Sequence, residues 1–350
     1  MPSRRTIILG AITAIGALLF LFPLTTGMLG TTQGVETLTG DLRASFEPAA
    51  LAQTRADMNT VQAMSDQLQG KTLPDLPNAL AMSPQQFQDY MGQNFPDVAS
   101  GTAQLNTILP KFQTLVTGLE TQAPNFLAAD QIPTSTLPST VVPYLFLIPG
   151  AVLVLLAGGA LLLGRGRDGN GLSRPALAVS VVVGLVFVVA PLVLAVPAKA
   201  RAVDDLTTAF GTVFTDSGVA AVRSDMTVIA KMSDQLQTQT VPALANALKM
   251  DSTQFQDFMG QNYPDVATGM GQLNDILPRF EALVTGMERN VDSFQLAASI
   301  PTAGQATTTL TWWFIVPGIA LILLGGIGLF TGGAPLTSNG VPRERTLETV

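Results

Sequence analysis

Four stretches of this sequence contain no Asp, Glu, Lys or Arg: residues 7–30, 141–164, 175–198 and 311–332. Each exceeds the roughly 20 apolar residues that cross a hydrocarbon core. Inside lipid no water satisfies backbone N–H and C=O groups, so a spanning segment of this kind can only be a helix that closes its hydrogen bonds on itself. The composition agrees, with 47% hydrophobic and 12% charged residues and a mean hydropathy of +0.38. A typical soluble domain carries about 25% charged residues. The class implied is an integral membrane protein with four transmembrane helices.

The distribution of arginine orients them. Arg4 and Arg5 precede the first span, Arg165, Arg167 and Arg174 crowd the short connection between the second and third, and Arg343 and Arg345 follow the fourth. Positively charged flanks stay in the cytoplasm. The expected layout is a cytoplasmic N-terminus and first span over 1–30, an extracytoplasmic stretch over 31–140, and a second span over 141–164. A cytoplasmic loop follows over 165–174, then a third span over 175–198, a second extracytoplasmic stretch over 199–310, a fourth span over 311–332, and a cytoplasmic tail over 333–350. Tyr144, Trp312 and Trp313 open the second and fourth spans, where interfacial aromatics suit the outer boundary. The first span also has the look of a cleavable signal peptide, two arginines followed by an apolar run. The matching third span is internal and argues for retention.

The sequence repeats itself. Without any gap, DMNTVQAMSDQLQ from Asp57 faces DMTVIAKMSDQLQ from Asp225, and QNFPDVASG from Gln93 faces QNYPDVATG from Gln261, an offset of 168 positions. About 40 of the 64 positions from Asp57 to Glu120 are identical, far above chance. The register continues into the spans, where Pro23 falls on Pro191, Pro149 and Gly150 on Pro317 and Gly318, and Tyr144 on Trp312. The unit is helix, outer stretch, helix, and two units with the same orientation imply a pseudo-two-fold parallel repeat.

Within the outer stretches strand signals are scarce. Ser83, with Pro84 after it and Gln86 at the third position, reads as a helix N-cap with a capping box, and Asp251 with Gln254 repeats the logic. Asp97 and Asp265 are expected as the caps of the next helix. Val98, Leu105, Ile108, Leu109, Phe112, Leu115, Val116 and Leu119 follow helical spacing, with Pro110 expected to kink or divide that helix. Each stretch reads as an all-helical bundle of three to five helices, large enough at about 110 residues to fold as a unit.

The chain has no cysteine and no histidine. Disulfides, thiolate metal sites, cysteine nucleophiles, imidazole ligands and a Ser-His-Asp triad are thereby excluded. Absence of disulfides in exported domains favours a bacterial cell envelope. With a net charge of −7 and no run of basic residues, nucleic acid is not an expected partner. The spans hold no ionisable residue, which speaks against a proton relay or ion pathway. Gly158, Gly159, Gly325 and Gly326 could allow close helix approach.

Three groups of residues invite a functional reading. Asp66, Asp89, Asp97 and Glu120 recur as Asp234, Asp257, Asp265 and Glu288, but caps and solvated faces account for them better than an acid–base pair or cation site. Phe87, Met91 and Phe95, with Phe255, Met259 and Tyr263, form either a candidate apolar groove or ordinary core. The Gln- and Asn-rich faces hold no Trp platform for a sugar and read as solvated helix surface. No catalytic, cofactor or metal residues are predicted. The expectation is a non-enzymatic, plasma-membrane-anchored envelope protein whose twin outer domains bind a protein partner or each other. The alternative is a component that binds or transfers a lipid or other apolar ligand.

Overall fold

A computed structural model describes residues 4–163 and 170–330; the first half of the basic loop, 165–169, and the C-terminal tail read above lie outside the described residues. The chain there is all-helical. It runs α1 (Arg4–Thr25), α2 (Met28–Leu42), α3 (Pro48–Gln67), a π turn (Leu68–Thr72), α4 (Leu73–Ala79), α5 (Pro84–Asn94) and α6 (Pro96–Asp130). Then come α7 (Tyr144–Leu153), a second π turn (Val154–Gly158), α8 (Gly159–Leu163), α9 (Asn170–Val193), α10 (Val196–Phe210) and α11 (Asp216–Gln235). A third π turn (Leu236–Thr240) leads to α12 (Val241–Ala247), α13 (Ser252–Asn262), α14 (Pro264–Arg289), α15 (Val291–Ala297) and α16 (Thr309–Phe330). The contacts divide it into two compact units.

The first unit holds the four helices long and apolar enough to cross a membrane: Arg4–Thr25, Ser139–Leu163, Gly171–Val193 and Thr309–Phe330. In lipid, apolar burial does not drive helices together, so close packing of small residues must. That packing is seen between α1 and α7, where a Cβ on Gly150 would lie 2.6 Å from the Phe20 nitrogen and 2.8 Å from the Gly16 oxygen. In the same way a Cβ on Gly184 of α9 would lie 2.6 Å from the Gly318 oxygen of α16. Of the glycines singled out in the sequence, Gly325 meets Ser180 and Gly158 faces Thr13, whereas Gly159 and Gly326 face open space. Phe146 is fully buried among Phe22, Phe187 and Phe314, and Trp313 stacks on Phe22 at 4.1 Å between centroids.

The second unit spans Thr26–Val142 and Ala195–Leu310. Sequence pattern leads one to expect a bundle from each stretch, yet the two are intertwined. Helix α3 lies chiefly along α14, α11 along α6, α2 along α15, and α10 along α6. One apolar core draws on both stretches, from Met58, Met64 and Phe112 to Met226, Met232 and Phe280. Phe112 and Phe280 meet edge to face at its centre, 5.9 Å apart. Helices of this length cannot hold together alone, and the stripes on α3 and α11 find more apolar surface on the opposite stretch than on their own. In a second apolar cluster of the same unit, Phe46 stacks on Phe126 at 4.0 Å and Phe214 on Phe294 at 4.6 Å.

Pro110 does not divide its helix: α6 continues for 35 residues through Pro110 and Pro124. Ile108, Leu109 and Phe112 are all buried around it. Burial of about 1.5–3 kcal/mol for each such side chain outweighs the roughly 3 kcal/mol of an internal proline. In the second stretch the break falls at Asn290 instead, between α14 and α15.

Two glycines let the crossed helices touch. A Cβ on Gly101 of α6 would lie 2.7 Å from the Met232 Cβ, and one on Gly269 of α14 would lie 2.7 Å from the Met64 Cβ. By contrast Gly92 and Gly260, within α5 and α13, have nothing near them. Gly101→Ala should therefore destabilise the unit by about 1–3 kcal/mol through overpacking. Gly92→Ala should stabilise it by about 0.5–1 kcal/mol by removing a flexible residue from a helix interior. Denaturant unfolding of the two variants side by side checks the opposite signs.

Candidate functional site

The predicted first caps are present in both stretches. Ser83 Oγ accepts from the Gln86 N–H at 3.2 Å while Gln86 Oε1 accepts from the Ser83 N–H at 2.9 Å, a closed capping box. Asp251 Oδ1 accepts from the Gln254 N–H at 2.8 Å, with Gln254 Oε1 returning the bond at 3.0 Å.

Asp97 and Asp265, by contrast, are not caps. Pro96 and Pro264 occupy the first helical positions, which leaves Phe95 and Tyr263 at the N-cap, neither of whose side chains accepts a cap hydrogen bond. The two aspartates sit in the first turn, where negative charge still suits the helix dipole. The cap is supplied from the other stretch. Gln67 Oε1, at the end of α3, accepts from the N–H groups of Asp265 and Val266 at 2.9 and 3.0 Å. Gln235 Oε1, at the end of α11, accepts from the Val98 N–H at 3.0 Å. The π turns place these glutamines: Thr72 Oγ1 donates to the Gln67 carbonyl and Thr240 Oγ1 to the Gln235 carbonyl, both at 3.2 Å and five residues back.

The candidate groove is closed. Phe87, Met91, Phe95, Phe255, Met259 and Tyr263 are all buried, between 3% and 6% exposed, and belong to the shared core. Met91, Phe255 and Met259 border an apolar cavity of about 30 Å³ between the stretches. Tyr263 keeps its hydroxyl partnered, donating to Asp75 Oδ2 at 3.3 Å, with the Lys71 ammonium 5.2 Å over its ring.

The repeated carboxylates are dispersed. Asp66 accepts from Gln62 and Asp89 from Gln85, each one turn away, and Glu120 pairs with Arg55. Glu288 pairs with Arg223, which also reaches Glu281. Hydrogen bonds from Arg55 and Arg223 hold the carboxyls of Glu120 and Glu288 below the usual range. Two further ion pairs cross between the stretches: Arg279 with the buried Asp57 at 2.6 Å, and Lys111 with Asp225 at 2.7 Å. Among the described residues no group of three or more acidic side chains is placed to hold a metal ion.

Pattern reading missed the roles of Gln67, Gln235, Asp57, Arg279 and Lys111. A signal was there: MSDQLQ keeps its glutamine in both copies, although a polar residue at the end of an amphipathic helix is otherwise free to vary.

Between α6 and the α10–α11 corner lies an open cleft of about 610 Å³. It is bordered by edges of the buried Phe112, Leu115 and Phe210, by Val213 and Val222, and by threonines 114, 117 and 121 of α6 with Thr212. The Lys111–Asp225 pair also borders it.

Comparison with models of known protein families, with curated proteins and with solved structures finds no match to this chain.

Gln67→Ala and Gln235→Ala should each cost about 0.5–2 kcal/mol, as for a lost helix cap, while Gln67→Glu, which keeps an acceptor, should cost less. Because the folded-state pKa values of Glu120 and Glu288 are depressed, their pairs stabilise the fold above the unfolded carboxylate pKa of about 4.3 and lose that contribution as pH falls below it. Unfolding midpoints between pH 6 and pH 3 should fall less steeply in the Arg55→Gln/Arg223→Gln double variant than in the native chain.

Proposed function

We propose that this protein is a non-enzymatic scaffold of a cell envelope: two tandem copies of a helix–outer stretch–helix unit, anchored in the plasma membrane by four spans. Both termini are cytoplasmic on this reading and the intertwined unit faces the exterior, as the arginine distribution favours. Its partner is another envelope or membrane protein. The tandem origin is supported by the offset of 168 positions, at which α3, α5 and their π turn and capping partners fall on α11, α13 and theirs.

The observation that carries the scaffold reading is a pair of matching exposed faces. Gln88, Asp89, Gly92 and Gln93 on α5 are exposed, and so are Gln256, Asp257, Gly260 and Gln261 on α13. Exposed positions elsewhere are kept at some places, as at Gln104 and Gln272 or Asn106 and Asn274, and have diverged at others, as at Thr114 and Ala282 or Thr107 and Asp275; what marks α5 and α13 is an exposed glycine kept within each helix. The two faces keep every one of these residues, including a glycine that costs helix stability and has open space around it. A second surface resting closely against both faces explains that retention. Held on one body, two equal sites also gain avidity for a partner that offers two equal counterparts.

Two experiments test this. In cells expressing single-cysteine variants, an impermeant thiol reagent should label Gln93→Cys and Gln261→Cys and spare Gly169→Cys; the reverse pattern overturns the orientation. Gly92→Ala/Gly260→Ala should fold with undiminished stability yet co-purify with at least tenfold less of any protein that the native chain captures from its own membranes. Equal capture by both chains, across all co-purifying proteins, removes the support for the twin faces.

A further inference from the structure

We infer that the end of the second unit through which the chain passes to and from the spans is a lipid-binding face, seated at the headgroup–acyl boundary of the adjoining membrane leaflet. This goes beyond the scaffold role, uses none of the α5 and α13 faces, and rests only on the four long apolar helices crossing a bilayer. Over Thr26–Val142 and Ala195–Leu310 the unit exposes four large hydrophobic side chains, Leu29, Leu127, Leu137 and Leu296, each between 40% and 48% open to solvent. A lone exposed leucine needs no explanation. These four, however, are gathered in one part of the unit.

Leu29 lies in the first turn of α2, Leu127 in the last turn of α6, Leu137 in the link after α6, and Leu296 in the last turn of α15. In every case this is the helix end, or the link, that leads to or from a span. Leu29 follows Thr25, the end of the first span, by four residues, and Leu137 precedes Ser139, the start of the second, by two. Four residues reach at most about 14 Å and two about 7 Å, so neither leucine stands far from the headgroup layer. Leu127 and Leu296 are held to the same end. Val35 of α2, Ala129 of α6, Val203 of α10 and Ala297 of α15 border one small apolar cavity, and a Cβ on Gly34 of α2 would lie 2.6 Å from the Leu296 Cβ. Lys199 of α10, six residues past the third span, donates to the Gln131 and Pro133 carbonyls beyond the end of α6.

Packing within the unit does not demand leucine at these positions. The other copy holds Pro197, Gln295, Gln305 and Ala128 there, and both glutamines are exposed in their turn. The apolar area that the leucines leave in water is recovered only against another apolar surface. A membrane leaflet is the one such surface that the chain's own spans bring to all four positions at once. Tyr144 and Trp312, near the starts of α7 and α16, are exposed as well, and amphipathic aromatic rings at span ends sit at headgroup level. Apolar residues of interfacial helices bury about 5–10 Å into the same boundary.

The chain has no cysteine, so a single introduced one carries an environment-sensitive NBD probe without competition. The test uses the full chain in phosphatidylcholine nanodiscs, with the probe at Leu127→Cys, Leu137→Cys or Leu296→Cys. Gln93→Cys on α5 is the water-exposed reference, and Ile148→Cys, exposed on the second span, is the lipid reference. A phosphatidylcholine spin-labelled close to its headgroup should quench the three leucine sites several-fold more than Gln93, and aqueous iodide should quench them several-fold less. Quenching by the lipid no stronger than at Gln93 at two or more of the three sites, with Ile148 quenched, overturns the lipid-binding face and leaves the anchoring standing. Failure to quench at Ile148 overturns the anchoring itself. Because the probe is apolar, a second measurement moves it to the neighbouring Ser135→Cys and asks whether the leucines hold it at the membrane. In Leu127→Gln/Leu137→Gln/Leu296→Gln, which as a surface variant should melt in detergent at the native temperature, lipid quenching of that probe should fall several-fold. Unchanged quenching in this variant overturns the face as well. None of these measurements reads capture by the α5 and α13 faces.

Discussion

The exchange of glutamine caps is the interaction on which the second unit depends. A helix that begins aromatic–proline–aspartate has its N-cap position filled by a ring that makes no cap bond, so its first N–H groups need an oxygen from elsewhere. Gln67 and Gln235 deliver that oxygen, each to the long helix of the opposite stretch. Delivery requires the glutamine to be held at the very end of its helix, and the π turns with Thr72 and Thr240 do this. The Gly101–Met232 and Gly269–Met64 approaches and the two crossing ion pairs lie along the same helix pairings. Neither stretch completes its helix ends or its core without the other.

The spans follow a different logic. Lipid gives no hydrophobic reward for helix contact, so the α1–α7 and α9–α16 pairs rest on glycines that bring backbones together, Gly16 with Gly150 and Gly184 with Gly318. Where the spans carry large side chains inward they are aromatic, and Phe146, Phe187 and Phe314 fill the middle by shape. Their outward surfaces are leucine and valine, as with Leu155, Leu162 and Val193, each well exposed.

The parts of this structure that could be read from the sequence are those decided by nearest neighbours along the chain. Four spans follow from uncharged apolar runs, and the Ser83 and Asp251 boxes from residues three apart. The helical stripe from Val98 to Leu119 was legible as buried, since periodicity reports burial. What it could not report was the partner: Met64 packs against Gly269, and Phe112 against Phe280, and two near-identical stripes do not say which copy meets which. The same limit explains Asp97 and Asp265, assigned as caps because they lie near a helix start. Their true competitor for the role was some 140 to 200 positions away in the chain. Pro110 misled because a local cost of known size was compared with nothing, while the buried residues around it supplied the larger opposing contribution.

On the proposed tandem origin, the differences between the copies carry as much information as their likeness. In a symmetric dimer of identical chains, any substitution at an interface appears twice, so a change that opens one cleft opens both. Fusion into one chain removes that constraint. The pairs that cross between the stretches have used the freedom: Lys111 stands where Arg279 is found, Phe95 where Tyr263 reaches Asp75, and Gln239 where Lys71 lies over that tyrosine ring. Asn290 with Asp41 and the bidentate Arg279 with Asp57 lie on one side, while on the other Lys199 of α10 donates to the Gln131 and Pro133 carbonyls, a tie for which Thr31 at the matching position has no equivalent. That second side also carries the open cleft between α6 and the α10–α11 corner. Because the shared core holds both stretches together whichever tie is present, each side could exchange its polar partners independently, which is why the ties differ while the buried residues at matching positions stay alike.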